Sequence, residues 1–218
     1  MYRKLSLALS VGLVAAAAPL AAQNGLGVVG GYVSSNFVVE PAKPGATYSA
    51  RSGFAGGLSL TMGVANGVSI GPEALYVQKG SNLALVSGAL SGSGWAKIGY
   101  VEVPLLLRVG FKAGSSRIFV TAGPQFSYRL NCTASLPVYS GGVISNNTGD
   151  CDTVVPSPGG IKTTDYGVIF GAGVAMGKIS VSVRYDLGMA NVNKDQTTGA
   201  DTDKNKTIFV LLGLALGK

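Results

Sequence analysis

The sequence predicts an all-β protein, an eight-stranded antiparallel up-and-down transmembrane β-barrel. Three observations carry this. Hydrophobic residues make up 47% of the chain and charged residues only 12%, yet beyond the first 22 residues no apolar run reaches the ~20 residues that a spanning helix needs. Apolar and polar side chains alternate with period two over eight segments, and the charges keep to one face. The connections between segments run alternately long and short.

The chain opens with basic Arg3 and Lys4, an apolar run over 5–18, and Pro19-Leu20-Ala21-Ala22 before polar Gln23. This pattern predicts a secretory signal peptide over 1–22 and one mature domain over 23–218. Loss of Arg3 and Lys4 with the leader lowers the net charge from +7 to +5. Export leads into an oxidising space, where two cysteines can pair.

The strands follow in order. In the first, Leu26, Val28 and Tyr32 oppose Gly27, Gly31 and Val33, a weaker alternation than the rest. Phe54, Leu58, Leu60 and Met62 oppose Ala55, Gly57 and Ser59 in the second; Ile70, Pro72, Ala74 and Tyr76 oppose Glu73 and Lys79 in the third. Val101, Val103, Leu105 and Leu107 oppose Glu102 and Arg108; Ile118, Val120, Phe126 and Tyr128 oppose Arg117, Gln125 and Arg129. Tyr166, Val168 and Phe170 oppose Asp165, and Val181, Val183 and Tyr185 oppose Ser182, Arg184 and Asp186. Last, Ile208, Val210, Leu212 and Leu214 oppose Phe209, Leu211 and Gly213. Nine charged residues fall on the polar face; on the apolar face Lys97 and Lys206 sit only at the rims. A charge facing lipid at mid-depth costs ~2–4 kcal/mol, so this segregation is what a barrel in lipid requires.

The long connections cover 34–51, 80–94, 131–163 and 191–205, the short ones 65–67, 113–116 and 177–178. Barrels of this kind have short periplasmic turns and long outer loops, which places both termini on the periplasmic side. Cys132 and Cys151 both fall in the longest outer loop and are expected to form a disulfide that shapes the loop more than it holds the barrel.

Several stretches support a more specific resemblance. They are Gly71-Pro72-Glu73-Ala74-Leu75-Tyr76-Val77-Gln78-Lys79-Gly80, Tyr100-Val101-Glu102-Val103-Pro104-Leu105-Leu106-Leu107, Ala122-Gly123-Pro124, and Tyr166-Gly167-Val168 through Arg184-Tyr185-Asp186-Leu187-Gly188. With them the chain resembles the small bacterial outer-membrane β-barrel proteins of the PorT-like, or porin-family, type. The resemblance implies residence in the outer membrane of a Gram-negative-type bacterium and contact with the barrel-assembly machinery during insertion. It also implies an aromatic last residue, whereas this sequence ends Leu216-Gly217-Lys218, which predicts weaker recognition by that machinery.

Histidine is absent, which removes Ser-His-Asp hydrolysis, Cys-His chemistry and His-ligated zinc, and two cysteines cannot build a four-Cys site. Enzymes among small outer-membrane barrels rely on a catalytic histidine, so no enzyme activity, cofactor or metal is expected. Gly25-Leu26-Gly27-Val28-Val29-Gly30 matches a dinucleotide fingerprint, but a leader rather than a strand precedes it. Asn193, Asp195, Asp201, Asp203 and Asn205 could offer oxygen ligands but lack the spacing of a calcium loop, and a solvated loop is the expectation. The basic balance points to outer-membrane lipids and lipopolysaccharide rather than nucleic acid.

Glu73 and Glu102 could form an acid/base pair. The preferred reading is a structural lumen ion network of Glu73, Glu102, Arg108, Arg184 and Asp186. Small inward residues on strands one, two and eight leave space that long polar side chains from strands four and five can cross, closing the lumen. The leading function is therefore a non-catalytic integral outer-membrane barrel with an envelope-integrity or surface-interaction role. The alternatives are a narrow porin-like pore for small solutes and a soluble periplasmic ligand-binding barrel, the latter needing apolar side chains inside.

Overall fold

The computed structural model describes residues 25–88, 90–140, 143–154, 160–194 and 202–216. The signal peptide expected over 1–22 and the final Gly217-Lys218 lie outside the described residues.

Nine antiparallel strands and one short helix are described: β1 Gly25–Glu40, β2 Ala46–Ala65, β3 Val68–Ser87, β4 Leu90–Ala113, β5 Ser116–Ser140, β6 Val143–Asp150, α1 Cys151–Val154, β7 Thr164–Met176, β8 Ile179–Gly188 and β9 Thr202–Ala215. The sheet runs β4-β3-β2-β1-β9-β8-β7-β5-β6 and closes through pairing of β4 with β5. Eight strands therefore make the ring, each beside its neighbour in sequence apart from β6. Closure removes the unpaired edges that a membrane cannot tolerate.

Three two-residue turns, Asn66-Gly67, Gly114-Ser115 and Gly177-Lys178, join strands at the end that carries Gly25 and Ala215. Gly114 and Gly177 open their turns at φ of 63° and 59°, a backbone that favours glycine at the first position of a tight hairpin.

At the other end the strands are longer than expected. Much of 34–51, 80–94 and 131–163 is strand rather than loop, so β2 to β5 stand as a tall wall of 20 to 25 residues each. The ninth strand, β6, also departs from the expected eight. β7 begins opposite Tyr128, which leaves the upper edge of β5 open; β6 pairs with that edge from Thr133 to Ser140.

The outward residues form an apolar belt. Leu105 is 43% exposed and Val183 53%, and similar side chains ring the barrel from Leu26 to Leu214. On β4 the outward run from Val101 to Phe111 covers roughly 25 Å at ordinary strand rise and tilt, the height of a lipid-facing band. Its loop-side rim is aromatic. Tyr32 pairs with Phe54, Tyr76 and Tyr128 flank Val101, and Phe126 pairs with Tyr166. Such girdles sit at the headgroup level. This outward apolar belt is the reverse of what a soluble ligand-binding barrel presents.

Inside, the lumen is mixed rather than purely polar. One apolar cluster, Val29, Val33, Ala55, Leu75, Val77, Phe209 and Leu211, lines the wall formed by β1, β2, β3 and β9. A second closes the loop end: Phe37, Ile98, Tyr100, Cys132, Ala134, Cys151, Ala190 and Val192.

Candidate functional site

The lumen holds its charges in two layers, both tied across the barrel. In the ring β3 and β8 stand opposite each other, four strands apart by either route. Nearer the turns, Arg184 of β8 grips Glu73 of β3 through both terminal nitrogens, at 2.6 and 3.0 Å. Arg108 of β4 approaches the same carboxylate at 4.0 Å and lies over the Phe119 ring, 4.6 Å from its centroid. Inward glycines of β7 make the room: a Cβ at Gly173 would meet Phe119, and one at Gly171 would crowd Arg184.

Nearer the loops, Lys79 of β3 reaches Asp186 of β8 at 2.6 Å and Glu102 of β4 at 2.7 Å, all three side chains fully buried. The Ser127 hydroxyl lies 2.8 Å from Gln125 Oε1 and 3.2 Å from Glu102, its one proton shared between these two acceptors; Gln125 in turn donates to Asp186 at 3.4 Å. Asn205 donates to Asp165 at 2.8 Å. Two carboxylates on one ammonium, plus Asp165, give this layer an excess of negative charge, whereas two guanidiniums on Glu73 give the other an excess of positive charge.

The five residues expected as one network are thus divided. Glu73, Arg108 and Arg184 meet; Glu102 and Asp186 meet elsewhere, on Lys79. Parity places a side chain inside, but height in the lumen follows from strand tilt and stagger, which parity does not encode. The hub Lys79 was visible as an inward charge but not as the partner of Glu102. Glu73 and Glu102, lying in different layers, do not form an acid/base pair.

Cys132 and Cys151 are joined, with Cα atoms 5.4 Å apart. Cys132 lies within β5 rather than in a loop, and both cysteines belong to the apolar cluster at the loop end. The disulfide therefore fastens α1 into the closure of the barrel mouth, and the connection it ties down is part of that closure rather than a free loop. Asp152, next to it, accepts from Arg129 at 2.7 Å and from Lys194 at 2.6 Å, clasping α1 to β5 and to the segment after β8. These hydrogen bonds hold the Asp152 carboxyl below the ordinary carboxylate range.

The glycine-rich start, Gly25 to Gly30, is strand, paired with β2 throughout and with β9 from Gly27 on, with no helix following it. Of the possible oxygen ligands, Asn205 is buried against Asp165, while Asp195 and Asp201 lie outside the described residues. No cluster of metal-ligating side chains occurs among the described residues.

A closed strand ring with an apolar outer belt and paired charges inside defines an integral membrane β-barrel. The sequence matches the family model described as "Outer membrane protein beta-barrel domain" over residues 21–194, and the chain belongs to that family, whose place is the outer membrane. No curated protein matches it. Solved structures similar to it include OprG from Pseudomonas aeruginosa, at 13% identity and a TM-score of 0.48 over 89% of this chain and 97% of that one. Another is the attachment invasion locus protein Ail of Yersinia pestis, at 12% and 0.43 over 89% and 100%. Neisserial surface protein A is similar at 12% and 0.43 over 87% and 96%.

Proposed function

We propose that this protein is a non-catalytic outer-membrane barrel with a closed lumen, acting through the strand extensions and connections of its loop end in envelope integrity or surface contacts. The observation that supports this best is the double closure: buried ion pairs span the lumen from β3 to β8, and an apolar cluster fastened by a disulfide fills the loop-end mouth. The side-chain-filled interior of an eight-stranded barrel agrees with this. In this reading the turns and both termini face the periplasm, and insertion uses the barrel-assembly machinery.

The outer leaflet supplies the first partner. Arg51, Lys97, Lys204 and Lys206 project outward above the aromatic rim, Arg51 resting on the Trp95 ring at 4.6 Å. Cations at that level suit the phosphates of lipopolysaccharide. The test is deletion of the gene, scored as sensitivity of the envelope to detergent and bile salts. Complementation should succeed with the full protein and fail with a variant whose β3–β4 hairpin is cut back above the rim. Full complementation by that shortened but folded variant would refute a role for the loop end.

A further inference from the structure

The end of the lumen that carries the turns opens into a cavity of about 360 Å³. Its mouth is formed by the ends of β1 and β9 and by the Gly177-Lys178 turn; it ends blind at the Glu73–Arg184 pair. Arg108, Arg184 and Lys178 line it, with Arg117 nearer the mouth, and Glu73 is the single carboxylate of its lining among the described residues. That carboxylate is already held by both terminal nitrogens of Arg184. Arg184 is only 3% exposed, and its Nε, like that of Arg108, has no hydrogen-bond partner among the described residues. Ser59, Ser69, Ser180 and Ser182 line the same space, and the cross-strand partners of Ser59 and Ser180 are the glycines Gly27 of β1 and Gly213 of β9.

Guanidinium groups in excess over carboxylates, inside a low-dielectric wall, repel one another and attract an anion more strongly than they would in water. Planar guanidinium donors and hydroxyls together match the oxygens of a phosphate or carboxylate. We propose that this vestibule is a binding site for a small oxyanion, a phosphate- or carboxylate-bearing solute of the compartment that the turns face. Only the name of that compartment, the periplasm, rests on the orientation proposed above. Because the cavity ends blind, binding occurs without passage, and it does not depend on what the loop end contacts.

The test titrates the folded protein in detergent micelles with sodium phosphate and, separately, sodium acetate, against sodium chloride at matched ionic strength. The readouts are calorimetry and the amide NMR shifts of Gly27, Ser180 and Gly213. Saturable binding of phosphate, of acetate or of both is expected, weakened by about tenfold or more in Arg108→Gln and in Arg117→Gln, the range for losing a hydrogen bond to a charged group. Lys97→Gln, outside the vestibule, should bind as the unmutated protein does. Arg117→Gln, nearer the mouth, keeps the test valid if Arg108→Gln fails to fold. No saturable binding of either anion, or binding that survives both arginine substitutions in folded protein, would overturn the proposal.

Discussion

Arg184 and Glu73 clasp each other across the full width of the barrel, from β8 to the opposite strand β3, at 2.6 and 3.0 Å. A pair in this position braces two walls at once. Glu73 also faces Arg108 at 4.0 Å, so the two partners are not equivalent. Arg184→Ala leaves Glu73 a second cation, whereas Glu73→Ala leaves two arginines without their carboxylate. Breaking a buried pair costs ~3–5 kcal/mol. Urea unfolding in detergent should show both variants destabilised, Glu73→Ala the more so. An Arg184→Met/Glu73→Gln double variant should recover part of the loss.

The apolar belt predicts a depth-dependent response to charge. Leu105→Arg and Val183→Arg should each lose ~2–4 kcal/mol and impair insertion. Val138 is comparably exposed, at 43%, but lies on β5 beyond the aromatic rim, where β6 pairs with it. Val138→Arg should therefore be near neutral. Heat-modifiable gel mobility of the membrane fraction reads all three. Equal losses at Val138 and Val183 would contradict the placement of the belt.

The disulfide should close the mouth rather than hold the ring. The chain-entropy model gives ~3 kcal/mol for a loop of this size. Cys132→Ser/Cys151→Ser should still form a barrel, yet α1 and the segment after β8 should become accessible to protease from the loop side. Denatured, unreduced protein purified from membranes should show no reactive thiol; two reactive thiols would refute the pairing.

Asp152 makes the same closure sensitive to acid. Its carboxyl is held below the ordinary range by hydrogen bonds from Arg129 and Lys194. A lowered value in the folded state means that the clasp contributes fully above the unfolded carboxylate range, near pH 4, and is lost as pH falls through the lower folded value. Hydrogen exchange at 151–154 and 189–194 should therefore accelerate, relative to the ring strands, below about pH 4. In Asp152→Asn the exchange should be fast already at neutral pH and show no acid step.

Much of this was legible in the sequence, and what was not has physical reasons. The alternation around Val183 and Leu105 fixed which side chains face lipid, because strand parity depends on nothing beyond the strand. Whether Glu102 meets Arg184 or Lys79 depends on stagger around a ring, a property of all eight strands together. Parity also reverses at bulges. Between Tyr100 and Gly99 on β4, β5 advances from Arg129 to Asn131. Cys132 and Ala134 thus turn inward beyond that point, and the interior cluster they join was hidden. β6, with its Asn146-Asn147 and Gly149, has no apolar alternation; it is a strand because β7 leaves the edge of β5 open.

The closed lumen is the central claim, and single-channel recording in planar bilayers tests it most directly. The unmutated folded protein should show no steady conductance, while Arg184→Ala and Glu102→Ala, which each remove a member of one layer, should admit brief openings. Steady conductance in the unmutated protein, unchanged by either substitution, would contradict the closure and make the barrel a pore.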